Sequence, residues 1–282
     1  MREQSAASQE IAKGDRFEFG KNWDSFSSRI NDARVRIAML SIQNLLNDKD
    51  LSGRKFLDVG SGSGLMSLAA RKLGMSVVSF DYDPTSVACT NKLKEKYCTN
   101  DPAWIVYQGS VLDKTFLSGL GTFDFVYSWG VLHHTGNMWN ALENLITLVA
   151  EQGTVIVALY NDQGVWSKFW KIIKASYNKL PRYLKPLFVI LVMGCRELKI
   201  IAVPLLKFKF KFILERWSNY GKDSGRGMSY WHDLVDWVGG YPFEVAKPED
   251  VFYFLKKRGF SLTQLKTCAG ELGCNEYVFE KE

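Results

Sequence analysis

The chain is poor in histidine, has no paired cysteines and has no long apolar run. Only three histidines occur in 282 residues, His133, His134 and His232, so imidazole chemistry must come from one of three positions. The five cysteines, Cys89, Cys98, Cys195, Cys268 and Cys274, form no CxxC pair. Their odd count fits reduced thiols in a cytoplasm rather than a disulfide framework. The longest uninterrupted apolar run, 187–195, falls far below the roughly 20 residues that span a bilayer. The opening MREQSAASQEIAKGDR is polar and mixed in charge, without the apolar core of a secretory signal. A soluble cytoplasmic protein is therefore the expectation.

What is present is an ordinary globular composition, 46% hydrophobic and 23% charged, enough for one large domain or one domain with an insertion. The net charge of +6 is unevenly placed. Residues 166–217 hold twelve Lys/Arg against two acids, and the remainder is mildly acidic. One segment is basic and apolar at once, which needs its own explanation.

The apolar periodicity alternates. Lys55–Val59, Ser76–Phe80, Trp104–Tyr107, Phe123–Ser128 and Thr154–Leu159 read as strands. Leu65–Leu73, a helix opened by Pro84, and Met138–Val149 read as the helices between them. Such alternation predicts a parallel sheet with helices on both faces. After the fifth strand the rhythm breaks into a long helical, Lys- and aromatic-rich stretch. It resumes with a helix over Pro248–Arg258 and a closing antiparallel pair, Ser261–Lys266 and Glu276–Phe279. The expected organisation is an N-terminal helical cap or lid over 1–50, a core over 51–162 and 245–282, and a helical insertion over 163–244.

The first strand runs into FLDVGSGSGL, with glycines at alternate positions 60, 62 and 64. Such a turn suits close approach of backbone to a ligand, and equally suits tight packing. Its spacing departs from the dinucleotide GxGxxG, because Leu65 stands where the third glycine would fall. Asp81 ends the second strand, where a carboxylate can accept both hydroxyls of a ribose. No basic residue stands beside it in FDYDP, which disfavours a 2′-phosphate.

Together LDVGSGSG, SFDYDP, QGSVLD and FDFVYSWGVLHH resemble, in order and spacing, the class I S-adenosylmethionine-dependent methyltransferases. Within that family the chain is most similar to the bacterial ubiquinone-biosynthesis O-methyltransferases and their relatives in glycan and natural-product pathways. The resemblance implies a Rossmann-like α/β fold: a seven-stranded, mostly parallel sheet with an antiparallel last strand, and a helical insertion after strand five. It implies S-adenosylmethionine as cofactor. Gly60, Gly62 and Gly64 would admit its amino-acid part, and Asp58 would orient the loop or reach the ammonium through water. Asp81 would hold the ribose, Tyr82 the adenine face, Ser110 and Val111 the adenine edge, and Trp129 the methionine portion. Ser110 replaces an acid common in relatives.

Methyl transfer needs alignment of the acceptor atom and, for some acceptors, removal of a proton. His134 is the first candidate base, with His133 beside it and His232 further along the chain; packing of the turn explains the adjacent pair equally well. Ser128-Trp129-Gly130-Val131 carries neither the Asn/Asp-Pro-Pro-Tyr of amine methylases of nucleic acid or glutamine, nor acids for a hard cation, so no metal is expected. Arg226, Tyr230, Trp237 and Tyr241 are candidates for lining an acceptor pocket, with Trp23 on an N-terminal lid. The acceptor is expected to be a small molecule methylated on oxygen: a phenol or quinone precursor, or a sugar of a glycan or lipid-linked intermediate. The alternatives are a small-molecule amine and a non-catalytic cofactor-binding module.

Residues 166–217 read either as a pocket cover beneath a solvated basic face or as a peripheral membrane contact. Lys168, Lys171 and Lys174 are expected on one helix face, with Phe169, Ile172 and Ile173 on another. Nucleic acid is disfavoured for want of any motif, and the oligomeric state is open.

Overall fold

A computed structural model describes residues 6–47, 51–206, 230–269 and 273–282. Three helices come first, α1 (Ala6–Lys13), α2 (Phe19–Ser27) and α3 (Asp32–Leu46). Then follow β1 (Lys55–Val59), α4 (Leu65–Lys72), β2 (Ser76–Asp81), α5 (Pro84–Tyr97), β3 (Trp104–Gln108), α6 (Lys114–Ser118) and β4 (Phe123–Trp129). A single 3₁₀ turn, Leu132–His134, leads into α7 (Met138–Ile146) and β5 (Val149–Tyr160). The insertion contributes α8 (Val165–Lys179), α9 (Lys185–Leu206) and α10 (Tyr230–Gly239). The chain closes with α11 (Pro248–Lys256), β6 (Phe260–Lys266) and β7 (Cys274–Lys281).

The strands form one sheet in the order β3-β2-β1-β4-β5-β7-β6. The first five are mutually parallel, and β7 runs antiparallel to both β5 and β6. Strand order reverses between β1 and β4, which opens a crevice at their carboxyl ends, where ligands bind in such sheets. The expected fold is therefore found.

Local chemistry sets the element ends. The Asp83 side chain accepts the Thr85 N–H and Pro84 begins α5, a cap-plus-proline start that satisfies otherwise orphaned donors. Asn31 caps α3 in the same manner through the N–H of Arg34. Two elements extend differently from their sequence pattern. Helix α7 stops at Ile146, and β5 begins at Val149 with an irregular pairing between Phe123 and Phe125 of β4. The Ala150–Gly153 stretch has no apolar alternation and forms the irregularity between the Phe123–Val149 and Phe125–Thr154 pairs.

The sheet is buried on both faces. One side packs Leu57, Val126, Val155 and Tyr277 against α7 and α11. The other packs Phe56, Val77, Trp104 and Val278 against α3, α4 and α5. Val35, Ala38 and Ile42 of α3 belong to that second cluster, each burying apolar area at about 25 cal/mol per Å². A third, smaller cluster joins Phe17, Tyr177, Val189, Met193, Leu234 and Val238. It fastens the insertion helices to the segment before α2.

Candidate active site

The Gly60–Gly64 turn lies at the carboxyl end of β1. The N–H groups of Gly60 and Ser61 both donate to the Phe80 carbonyl, at 2.9 and 3.1 Å. Gly60, Gly62 and Gly64 all have positive φ, a region that L side chains avoid. Each also faces a protein neighbour. A Cβ on Gly60 would stand 2.5 Å from Val131, and one on Gly64 3.0 Å from Thr90 of α5. On Gly62 it would meet the Trp23 indole at 2.9 Å. The turn is thus packed between Val131 in the loop after β4, Thr90 of α5 and Trp23 of α2.

Asp81 is wired into the turn. Its carboxylate accepts the N–H of Gly62 at 2.9 Å and the N–H of Asp83 at 2.9 Å. Burial pushes its pKa up to about 6 against the pull of those donors. An ionised carboxyl can accept about four hydrogen bonds, so capacity for two ribose hydroxyls remains. Asp83 accepts the N–H of Gly20 at 2.9 Å, which ties α2 to the start of α5.

Asp58 is buried. It accepts from the Ser67 hydroxyl of α4; Ser67 contacts Ser79 at 2.7 Å, and Ser79 in turn accepts the Trp104 indole N–H at 2.8 Å. Burial raises Asp58 to about 7, partly relieved by Ser67 and worsened by the nearby Asp81. This buried chain fixes α4 against β1 and β2. Val111 sits in the core with its carbonyl accepting from Asn144, and the Ser110 hydroxyl accepts the Leu112 N–H. Trp129 packs, partly buried, at the end of β4. Tyr82 donates to Glu10 at 2.9 Å, beneath the Arg16 guanidinium at 4.8 Å from its ring. Arg16 also pairs with Glu10 and donates to the His134 carbonyl at 2.8 Å. The N-terminal segment therefore spans from the Tyr82 side to the histidine turn.

Both adjacent histidines are buried. The Tyr160 N–H donates to His133 Nδ1 at 3.2 Å, which makes Nδ1 the unprotonated nitrogen of that ring. His134 Nδ1 lies 2.7 Å from the Pro242 carbonyl. A carbonyl only accepts, so this nitrogen carries the proton and Nε2 is the basic one. The rings of His133 and Tyr160 stack at 3.8 Å between centroids, with Phe19 at 4.7 Å from His134.

Beyond Tyr160 lies Lys174, fully buried. Its amine donates to the Trp237 carbonyl. It stands 4.7 Å from the Trp237 ring, 4.9 Å from Phe243, 5.8 Å from Tyr160 and 5.9 Å from Trp170. Burial pushes its pKa down to about 7, with Asp236 pulling it back up. Cation–π attraction is worth about 2 kcal/mol at a dry site, whereas stripping water from an ammonium costs several kcal/mol, so desolvation prevails. The expectation of Lys168, Lys171 and Lys174 on one solvated face is corrected here. The inward face of α8 is Trp170, Ile173, Lys174 and Tyr177. Phe169 and Ile172, expected to share a face with Ile173, are instead exposed by 52% and 65%. Aromatics four before and three after Lys174 were the sequence signal for this burial.

Of the expected acceptor-side residues, Trp237 joins this cage, and the Tyr241 carbonyl accepts the Phe17 N–H at 2.9 Å. Tyr230 and His232 lie on α10, but their side chains fall outside the described residues, as does Arg226. Sequence reasoning missed Tyr160, Lys174, Phe243 and the Arg16–Glu10 pair. Among the described residues no group of acids, cysteines and histidines could hold a metal ion.

The carboxyl edge of the sheet thus has an acidic, glycine-lined half and a histidine–aromatic half. Residues 31–185 match the family model of a methyltransferase domain. The chain belongs to that family. The ubiquinone biosynthesis O-methyltransferase of Caulobacter sp. (strain K31) is 28% identical over 109 residues, 39% of this chain and 42% of that protein. The mitochondrial one of Rattus norvegicus is 30% identical over 116 residues, 40% of this chain and 32% of that protein. The chain thus matches less than half the length of these curated relatives. Magnesium protoporphyrin IX methyltransferase from Synechocystis PCC 6803, solved with bound S-adenosylhomocysteine, superposes with a TM-score of 0.52 at 14% identity, over 93% of this chain and 94% of that one. S-adenosylmethionine is the cofactor of this family and fold, and the turn with its ribose-competent Asp81 fits it.

Proposed function

We propose that this chain transfers a methyl group from S-adenosylmethionine to an oxygen of a small molecule, a phenol or quinone precursor or a sugar of a glycan or lipid-linked intermediate. What carries this reading is that Asp81, at the end of β2, accepts from the glycine turn, and that the His134 Nδ1–H is committed to the Pro242 carbonyl, which leaves Nε2 as the basic nitrogen. Asp81 holds the ribose, Tyr82 the adenine face, Ser110 and Val111 the adenine edge, and Trp129 the methionine end. Asp58 supports Gly60, Gly62 and Gly64 through α4. His134 Nε2 takes the acceptor proton, with His133 as its packed neighbour. Trp23, Trp237 and Tyr241 enclose the two halves under lids from 1–50 and 163–244, with Arg226, Tyr230 and His232 on the second lid.

S-adenosylmethionine supplies an electrophilic methyl group when bound. The chain's residues then align the acceptor oxygen, remove its proton and exclude water. The similarity to ubiquinone-biosynthesis O-methyltransferases supports oxygen over nitrogen. Mass-spectrometric detection of a 14-Da gain across panels of phenols, sugars and amines tests it. Methylation of amines alone would overturn the oxygen assignment. Cofactor binding without turnover on any panel would favour a binding module.

The insertion supports a peripheral contact with an anionic membrane, from the cytoplasmic side. Trp166, Phe169 and Ile172 on α8 and Leu187, Ile190 and Leu191 on α9 all point outward. Lysines and arginines surround them, without an acid between 163 and 196. Among the described residues no helix is long and apolar enough to cross a membrane. Surface contact is what such a face offers.

A further inference from the structure

Lys174 is the one charged-type side chain of the insertion that the described structure buries completely, and no step proposed above uses it. We propose that Lys174 is a positioning residue, a clamp that closes α8 and α10 over the acceptor half of the site and, through α2, over the cofactor turn. This rests on the reading of two lids given above.

The wiring is continuous. Lys174 on α8 donates to the Trp237 carbonyl of α10 and lies between the rings of Trp170, Trp237, Phe243 and Tyr160, the last residue of β5. One turn further along α8, Asn178 donates to the Gly239 carbonyl at 2.7 Å. Neighbouring Asp236 of α10 accepts from Asn22 of α2. Helix α2 carries Trp23 onto Gly62 and Gly20 onto Asp83. Opening the cage therefore loosens the helix that covers the turn.

A lysine enclosed by rings and one carbonyl is comfortable there as a neutral amine, which still donates hydrogen bonds. Its pKa is about 7 in the closed state against an ordinary 10.5, so the closed state binds fewer protons than the open one. Closure is then favoured by up to tenfold per pH unit as pH rises from about 7 to 10.5, and is level below 7. Other titratable groups face the cage: Asp236 from α10, Tyr160 from β5 with His133 and His134 behind it, and Tyr177 from α8 itself. Phe243 brings no charge. A pH response alone would not single out the lysine, so the variant carries the test.

The experiment is stopped-flow release of S-adenosylhomocysteine, read by tryptophan fluorescence between pH 7 and 9, for wild type and Lys174→Met. Methionine keeps the unbranched side chain up to the Cε position and removes the amine, with both its titration and its hydrogen bond to the Trp237 carbonyl. Wild-type release should slow several-fold to tenfold per pH unit, and the variant, which lacks the donor to the Trp237 carbonyl, should release fast and at one rate at every pH. Equal pH slopes in both proteins, or release from the variant as slow as from wild type at pH 9, would overturn the clamp. Should the variant not fold, the lysine Cε resonances of the wild type decide: one midpoint near 7 supports the clamp, and ordinary midpoints for all lysines refute it. If the wild type does not bind S-adenosylhomocysteine at all, the methyltransferase reading fails, while the lysine titration still judges the clamp.

Discussion

Trp23 lies flat against the turn at Gly62, so close that a Cβ on that glycine would stand 2.9 Å from the indole. An N-terminal helix and the first strand-to-helix turn are therefore one packed unit. Gly62→Ala would both force a side chain into positive φ and displace Trp23. S-adenosylmethionine affinity should fall at least tenfold by calorimetry. An alanine variant that binds as tightly as wild type would remove the turn and its lid from cofactor binding.

Asp81 should make cofactor affinity depend on pH. Its carboxyl titrates near 6, and only the ionised form accepts two hydroxyls. Affinity should be level above pH 7 and fall by up to tenfold per unit as pH drops below about 6. Asp81→Ala should lose well over tenfold in affinity, and Asp81→Asn should abolish the dependence. An asparagine variant with the wild-type profile would assign the titration elsewhere.

His134→Gln should lower turnover on any accepted substrate by roughly 10²–10⁴-fold, the ordinary contribution of a general base. Cofactor affinity should stay within about twofold, because no cofactor group is assigned to that ring. Loss of both together would mark the histidine as a fastener between the β4 turn and the 240–246 segment.

Asp58 opposes stability at neutral pH. Its folded pKa of about 7 exceeds the ordinary 3.8, so the folded state holds more protons than the unfolded one between those values. Stability contributed by this group is present below about pH 4, is lost as pH rises toward 7, and is level beyond. Asp58→Asn should flatten that part of the melting-temperature profile between pH 5 and 7. An unchanged slope would mean that Asp58 keeps its charge in the folded protein.

The sheet was legible because apolar runs and breakers recur at regular spacing: Lys55–Val59 and Ser76–Asp81 end as expected within a residue. The glycine turn and Asp81 were legible as a pattern, since few arrangements place an acid at the end of strand two after such a turn. What could not be read was orientation within the insertion. Lysine is a solvent residue by default, so Lys168, Lys171 and Lys174 looked alike. Only the surrounding Trp170, Tyr177 and Trp237, the last from a distant helix, make one of them an interior residue. Asp58 likewise shares its strand pattern with ligand-facing acids, yet Ser67 and Ser79, each apart from it in sequence, draw it inward.

The same inversion of α8 yields the membrane prediction. Because Lys174 and Ile173 turn inward, Trp166, Phe169 and Ile172 are left facing out beside Lys168 and Lys171. Burying each large apolar side chain in the lipid interface contributes about 1.5–3 kcal/mol, and each nearby lysine about 1 kcal/mol on an anionic surface. The intact protein should co-sediment with phosphatidylglycerol vesicles at low salt and less with phosphatidylcholine. Replacing Trp166, Phe169 and Ile172 by serine should abolish binding without shifting the melting temperature, since these side chains touch little of the core. High salt should weaken but not remove wild-type binding, because the apolar share is not screened. No sedimentation of the wild type at low salt would leave this face a lid surface alone.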